Sequence, residues 1–198
     1  MRKILFLPGA GGSPDFWKPV GSRLPADWLK HYFGWPGLGH QPHDPAIGNL
    51  DDLVQLAVRE IDGPVDLVAQ SMGGVIAARI ALEWPSLVRR LVLCVTSGGV
   101  DMAGLGAADW RQDYRTSFPK AAEWITATRA SPPQPVEKIE APTLLIWGDA
   151  DPISPVAVGR HLEARIPNAR LEIVPGGDHG LAGTHADLVA SLIAHHLD

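Results

Sequence analysis

The sequence predicts an α/β protein, a three-layer α/β/α sandwich built on a mostly or wholly parallel sheet of about six strands. Short runs rich in Ile, Leu and Val alternate along the chain with amphipathic stretches. Each run closes at Gly or Pro, as buried parallel strands do, and alternation of strands with helices places helices on both faces of such a sheet. The length of 198 residues predicts a single domain covering residues 1–198.

Each element is assigned from its own pattern. The predicted strands are Lys3–Leu7, a weaker one at His31–Trp35, Val65–Ala69, Leu87–Val95, Thr143–Trp147 and Arg170–Val174. The predicted helices are Asp15–Leu24, Asn49–Ile61, Ala77–Trp84, Val156–Ile166 and His185–Leu197, with apolar residues recurring at helical spacing. Ser13 as cap and Pro14 at the first position mark the start of the first helix.

The segment 97–140 breaks this rhythm, since it has no clear strand and four of its prolines fall between Pro119 and Pro135. An ordinary helical connection covered by solvent is one interpretation. A short lid over a functional site is the other, and it is favoured because compact domains seldom keep a long irregular insertion without a use. Trp110 and Trp124 are then candidates for binding substrate.

Composition excludes several classes of partner. The net charge is −5 and no basic run exceeds two residues, which argues against nucleic acid. The single cysteine, Cys94, excludes an internal disulfide and reads as a small buried apolar residue. No Cys/His cluster has the spacing of a metal site. The first apolar run stops at Pro8, too short for a signal peptide or membrane span, so we expect a cytoplasmic protein.

The stretch Ala69-Gln70-Ser71-Met72-Gly73 is the part of the sequence that indicates a catalytic serine. A strand ends at Ala69 and a helix begins after Ser71, and small neighbours allow a sharp turn that projects the serine hydroxyl above the sheet. The helix N-terminus aims free N–H groups at the same point, which favours developing negative charge. A plain helix-capping serine is the alternative reading.

This stretch, with four others, resembles the α/β-hydrolase superfamily. Leu7–Ser13 is similar to the family's oxyanion loop, Gly34–His40 to the turn after its fourth strand, and Ala69–Gly73 to its nucleophile elbow. Ala141–Asp151 is similar to the segment that bears the triad acid, and Pro175–His179 to the histidine loop. Because Lys3–Leu7 matches the family's third strand, the resemblance implies a compact member without the N-terminal antiparallel hairpin.

The resemblance implies a triad of Ser71 as nucleophile, His179 as general base and Asp151 as the acid that orients it. His179 also lies in a Gly-rich loop after a strand, at the sheet edge where open α/β sheets bind ligands. Asp149 and Asp101 remain alternatives for the acid. The oxyanion hole would be formed by the backbone N–H groups of Met72 and Ala10.

We therefore expect a serine hydrolase, a carboxylesterase or thioesterase that acts on a small-molecule ester or thioester without a cofactor. The Gly-rich first loop does not fit a nucleotide site, because no Gly-Lys-Ser/Thr follows it and Pro14 occupies the last glycine position of a dinucleotide motif. The alternatives are a lyase, a carbon–carbon bond hydrolase or a cofactor-free oxygenase on the same scaffold. A non-catalytic ligand-binding protein of this fold is a further alternative.

Overall fold

The sheet is the centre of the molecule. A computed structural model of the chain describes residues 1–127 and 133–198. The strands of these residues are β1 (Lys3–Leu7), β2 (Leu29–Tyr32), β3 (Val65–Gln70), β4 (Val88–Cys94), β5 (Thr143–Gly148) and β6 (Ala169–Val174). They form one sheet in the order β2-β1-β3-β4-β5-β6, with every neighbouring pair parallel. The predicted parallel sheet of about six strands is confirmed.

Helices cover both faces of this sheet. Within the described ranges they are α1 (Lys18–Gly21), α2 (Leu50–Arg59), α3 (Met72–Glu83), α4 (Arg111–Ser117), α5 (Trp124–Ala127), α6 (Val156–Arg165), α7 (Leu181–Thr184) and α8 (Ala186–Leu197), with 3₁₀ turns at Pro85–Leu87 and Val136–Lys138. Every residue of β3 and of β5 is buried. Because successive strand residues point to opposite faces, full burial requires a covering layer on each side.

Two predicted boundaries differ from the structure. The first helix shrinks from Asp15–Leu24 to α1, because the flanking hydrogen bonds join residues three apart, as in Lys18 N–H to the Asp15 carbonyl at 3.1 Å. Pro19 also removes one donor from this region. The second strand lies at Leu29–Tyr32 rather than His31–Trp35, since the chain then leaves the sheet and Trp35 N–H bonds the Gly12 carbonyl at 3.0 Å.

The predicted start of a helix directly after Ser71 is confirmed, and α3 extends further toward the N-terminus than the amphipathic stretch Ala77–Trp84. The helix begins at Met72, directly after Ser71, and includes Gly73 and Gly74. Glycine in a helix interior lowers the stability of the helix, yet packing requires glycine at both of these positions. A Cβ atom on Gly73 would overlap the Leu7 and Pro8 carbonyl oxygens, and one on Gly74 would lie 2.5 Å from the Thr96 hydroxyl oxygen.

No helix in the described part of the chain is long and apolar enough to cross a membrane. Large aromatic side chains fill the interior of the described part, where Trp17, Trp35 and Trp147 are almost fully buried. Cys94 is fully buried in β4, and burial, with a smaller contribution from the Asp151 charge, raises the pKa of its thiol. Cys94 thus behaves as the small apolar core residue that the sequence predicts.

His196, in the last turn of α8, is 6% exposed and its Nε2 donates to the Leu91 carbonyl of β4 at 3.2 Å. Burial lowers the pKa of this imidazole below 6.5, and the charges of Arg170 and Arg90 lower it further. The unfolded chain therefore binds a proton more readily than the folded one. Stability due to neutral His196 is fully present above about pH 6.5 and is lost as the pH falls through the lowered folded-state pKa.

We expect the free energy of unfolding to fall as the pH drops below about 6.5, and His196→Gln to remove part of this pH dependence. Urea denaturation at a series of pH values from about 5 to 7.5 measures it. His195→Gln, at the exposed neighbouring position, is the matched control and should keep the wild-type pH dependence. An unchanged profile for His196→Gln would contradict this prediction.

Candidate active site

Ser71 lies where β3 ends and α3 begins. Its backbone has φ 53° and ψ −122°, a conformation that non-glycine residues rarely adopt and that persists only where the surroundings hold it. Its N–H donates to the Cys94 carbonyl at 3.0 Å, and its carbonyl accepts from the Thr96 hydroxyl at 2.5 Å. The end of β4 thus holds the strained turn from both sides of the serine.

The Ser71 hydroxyl is joined to an imidazole and a carboxylate in one hydrogen-bonded chain. Its Oγ lies 2.9 Å from His179 Nε2, and His179 Nδ1 lies 2.7 Å from Asp151 Oδ2. The Asp151 side chain is fully buried, whereas that of His179 is 23% exposed. With Nδ1–H donating to the carboxylate, Nε2 is the free base that accepts the serine proton, which is the arrangement that activates a weak hydroxyl nucleophile.

The orientation of Asp151 is set by its own loop. Its Oδ1 accepts from Ile153 N–H at 2.8 Å and from Ser154 N–H at 3.2 Å, so that Oδ2 is left for the imidazole. The two other candidate acids make different contacts. Asp149 Oδ1 accepts from Gly176 N–H at 2.6 Å, and Asp101 Oδ1 accepts from Ala103 N–H at 2.9 Å. Both form local loop contacts, and only Asp151 among these three bonds His179.

The candidate oxyanion donors flank Ser71. Met72 is the first residue of α3, where an N–H has no acceptor within the helix. Ala10 lies in a turn closed by Gly12 N–H bonding the Gly9 carbonyl at 3.0 Å. A Cβ atom on Gly9 would lie 3.0 Å from Ser71 Cβ, so this turn adjoins the serine. We call residues 8–12 the oxyanion-loop turn.

Several side chains that hold this site carry no motif. Three aromatic residues donate to backbone carbonyls at the end of β1 and in the loop that follows it: Trp17 Nε1 to Leu7 at 3.2 Å, Trp35 Nε1 to Pro8 at 2.7 Å, and the Tyr114 hydroxyl to Ala10 at 2.8 Å. None of the three is predicted from the sequence to be part of the site. Their partners are backbone carbonyls, which leave no pattern in the sequence.

Gln70, the residue before the serine, is a further missed contact. It is 4% exposed and its Nε2 donates to the His179 carbonyl at 3.1 Å. Its Oε1 lies so close to Gly9 that a Cβ there would overlap it. Gln70 therefore packs between the histidine loop and the oxyanion-loop turn, and the only available signal was its position beside Ser71.

The structure describes the segment 97–140 except for residues 128–132. The part of the lid prediction that falls on those residues lies outside the described residues. Trp110 and Trp124 are half-buried and pack on the hydrophobic core. The segment bonds two neighbouring loops, through Ala122 N–H to the Gly37 carbonyl at 2.7 Å and Ala108 N–H to the Pro152 carbonyl at 2.8 Å.

Two histidines in the loop after β2, His40 and His43, contact this segment. The His40 ring meets Phe118 edge-on at 4.9 Å between centroids, and His43 Nε2 bonds the Lys120 carbonyl at 2.9 Å. Both rings lie where the loop after β2 meets the segment 97–140.

This fold and this serine, imidazole and carboxylate arrangement are those of an α/β-fold hydrolase. A model described as the alpha/beta hydrolase family matches residues 4–129, and one described as TAP-like protein matches residues 107–198. The first covers more than half of the chain, and the chain belongs to the alpha/beta hydrolase family. The expectation of an enzyme of this class is confirmed.

Named relatives are similar over almost the whole chain. The pimeloyl-acyl-carrier-protein methyl ester esterase of Neisseria meningitidis serogroup A is 24% identical, over 97% of this chain and 75% of that protein. The poly(3-hydroxyalkanoate) depolymerase of Ectopseudomonas oleovorans is 25% identical, over 98% of this chain and 83% of its own. A solved esterase from Thermogutta terrifontis superposes with a TM-score of 0.79 at 19% identity, covering 100% of this chain and 89% of that one.

Proposed function

We propose that this protein is a serine carboxylesterase or thioesterase that hydrolyses a small-molecule acyl ester through an acyl-enzyme intermediate. The observation that carries the proposal is the continuous hydrogen-bonded chain from Ser71 through His179 to Asp151, with distances of 2.9 and 2.7 Å. A protein that only binds a ligand does not require a buried carboxylate that orients an imidazole toward a serine with a strained backbone.

In the first half-reaction Ser71 Oγ attacks the acyl carbonyl carbon while His179 Nε2 takes the hydroxyl proton. The carbonyl π electrons move to its oxygen, and that oxyanion accepts hydrogen bonds from the N–H groups of Ala10 and Met72. The tetrahedral intermediate then expels the alkoxide or thiolate leaving group, which receives the proton from His179. Asp151 holds the imidazole in the required tautomer and stabilises its charged form throughout.

In the second half-reaction water repeats the attack on the acyl-enzyme. His179 takes a proton from the water as its oxygen bonds to the acyl carbon, and the same two N–H groups stabilise the new oxyanion. Collapse of this intermediate breaks the bond to Ser71 Oγ, which recovers its proton from His179 and releases a carboxylic acid. The site needs no group beyond these residues and water.

The range of substrates is best approached with simple esters first. The names of two relatives specify esters, a methyl ester carried on acyl-carrier protein and a poly(3-hydroxyalkanoate). A panel of nitrophenyl esters of increasing acyl length, extended to matching acyl thioesters, covers both leaving-group classes of the proposal. Turnover that rises and then falls with chain length would define the pocket.

Ser71→Ala should lower ester turnover by about 10⁴-fold or more while the protein stays folded, since the nucleophile is lost and the core is untouched. Mass spectrometry of wild-type protein treated with a fluorophosphonate should find the adduct on Ser71. Ser13 and Ser154 are the internal comparison, and an adduct on either of them in place of Ser71 would overturn the assignment.

Asp151→Asn should lower turnover by about 10⁴-fold, because the amide favours the wrong imidazole tautomer. Asp149→Asn and Asp101→Asn change carboxylates that, within the described residues, accept from loop N–H groups and do not bond His179, and should cost much less. All three are compared by kcat/KM on one ester and by thermal midpoint. A greater loss in Asp101→Asn than in Asp151→Asn would assign the acid to the loop after β4.

Trp110 and Trp124 are proposed to contact substrate from the segment 97–140, which acts as a short lid in a single domain. Trp110→Ala and Trp124→Ala should then change kcat/KM across the ester series and lower the thermal midpoint only modestly. Truncating a purely structural core tryptophan costs about 3–5 kcal/mol, and Trp147→Ala in the core of β5 is the comparison. A large stability loss with an unchanged ester profile in both variants would refute the lid role.

A further inference from the structure

The hydroxyl of Tyr114 is a single point of contact between three separate parts of the chain. Tyr114 lies on α4, in the segment 97–140, and is 8% exposed. Its hydroxyl donates to the Ala10 carbonyl at 2.8 Å and accepts from Gly39 N–H at 3.0 Å. One buried oxygen thereby links α4, the oxyanion-loop turn and the loop after β2.

The carbonyl that Tyr114 holds belongs to the central peptide unit of a β-turn. Gly12 N–H bonds the Gly9 carbonyl at 3.0 Å, so residues 9–12 form a four-residue β-turn. Its central peptide unit, the Ala10 carbonyl with the Gly11 N–H, takes no part in that closing bond. Types I and II of such a turn differ by a flip of this central unit.

Glycine at position 11 leaves both orientations accessible. A type II turn needs positive φ at its third residue, which glycine adopts without strain. Gly11 has a negative φ in this structure, unlike Gly12 at 67°. The central unit is therefore in the type I orientation, with its carbonyl bonded to Tyr114 and its flip opposed by that bond.

The neighbouring peptide units are held by other groups. Trp35 holds the Pro8 carbonyl at 2.7 Å, and Gly12 holds the Gly9 carbonyl, whose peptide unit also carries the Ala10 N–H. With Tyr114 on the Ala10 carbonyl, three consecutive peptide units beside Ser71 are each fixed by a donor. A flipped central unit would move a carbonyl dipole to the face of the turn away from Tyr114 and change the field at a developing oxyanion.

We propose that Tyr114 is a positioning residue through which α4 holds the oxyanion-loop turn in the orientation that stabilises the transition state. This inference rests on the proposed esterase function, since it concerns the oxyanion hole of that reaction. Tyr114 acts through the Ala10 peptide unit and not on the substrate. Its loss therefore reduces transition-state stabilisation more than substrate binding.

Tyr114→Phe removes the hydroxyl and keeps the ring, which packs against Trp110 and Phe118. We expect kcat on a nitrophenyl ester to fall about tenfold, less than the loss of a direct oxyanion donor, with KM changed less than twofold. The affinity for an aryl trifluoromethyl ketone, which forms a tetrahedral adduct with the serine, should fall in parallel with kcat/KM. Tyr32→Phe, which alters the only other tyrosine, is the matched control and should leave all three unchanged.

Substitution of Gly11 separates positioning from packing. A Cβ atom on Gly11 meets no atom within 4 Å, and alanine disfavours the positive φ of the flipped turn. Gly11→Ala should therefore hold the turn without help from Tyr114. In a double-mutant cycle, the fall in kcat caused by Tyr114→Phe should shrink to about threefold or less in the Gly11→Ala background.

These measurements distinguish failure of the positioning role from failure of the proposed esterase function. A raised KM with unchanged kcat in Tyr114→Phe, or an equal fall in kcat in both backgrounds, would overturn the positioning role and leave Tyr114 a structural contact. Wild-type protein without activity on any ester or thioester would instead refute the proposed function. A kcat loss that Gly11→Ala suppresses would support the inference.

Discussion

The site depends on the strained backbone of Ser71, where β3 passes into α3 without an intervening loop. A non-glycine residue at φ 53° costs about 1–3 kcal/mol and persists only where its surroundings hold it. The parallel register of the strands supplies those surroundings, because it aligns Leu7 with Ala69 and Gln70 with Cys94. The ends of β1 and β4 thus flank the serine, and the packing of Gly73 on the Leu7 and Pro8 carbonyls brings the first loop beside it.

Polar contacts then make this junction rigid. Buried carbonyls cost free energy unless they are bonded, and the carbonyls of Leu7, Pro8 and Ala10 each accept from an aromatic side chain. The same bonds that satisfy these carbonyls also fix the peptide planes of the first loop. Donors fixed before reaction need no reorganisation when negative charge develops, which is the principal source of catalysis in such a site.

The parts of this arrangement that follow from local patterns were predictable, and the parts that follow from packing were not. The parallel sheet follows from short apolar runs, and the approach of Ser71, Asp151 and His179 follows from their places in loops at one sheet edge. Tyr114 was not predictable, because it bonds a backbone carbonyl about a hundred positions away. The start of α3 directly after Ser71 was predictable from the serine turn. The reason for its two glycines was not, since Gly73 packs on the Leu7 carbonyl and Gly74 on Thr96, both from other strands' ends.

The contacts of the segment 97–140 bear on how substrate would enter. It bonds the loop after β2 through Gly37 and the acid-bearing loop through Pro152, and Tyr114 bonds the oxyanion-loop turn. Each such bond contributes about 1 kcal/mol, so releasing the whole segment as a rigid flap would cost several. Local opening of a few residues breaks fewer bonds and is the lower-energy route. Under the proposed lid role, local opening would admit substrate while Tyr114 keeps its hydrogen bond to the Ala10 carbonyl, so that substrate access and a fixed oxyanion-loop turn would be compatible in one short insertion.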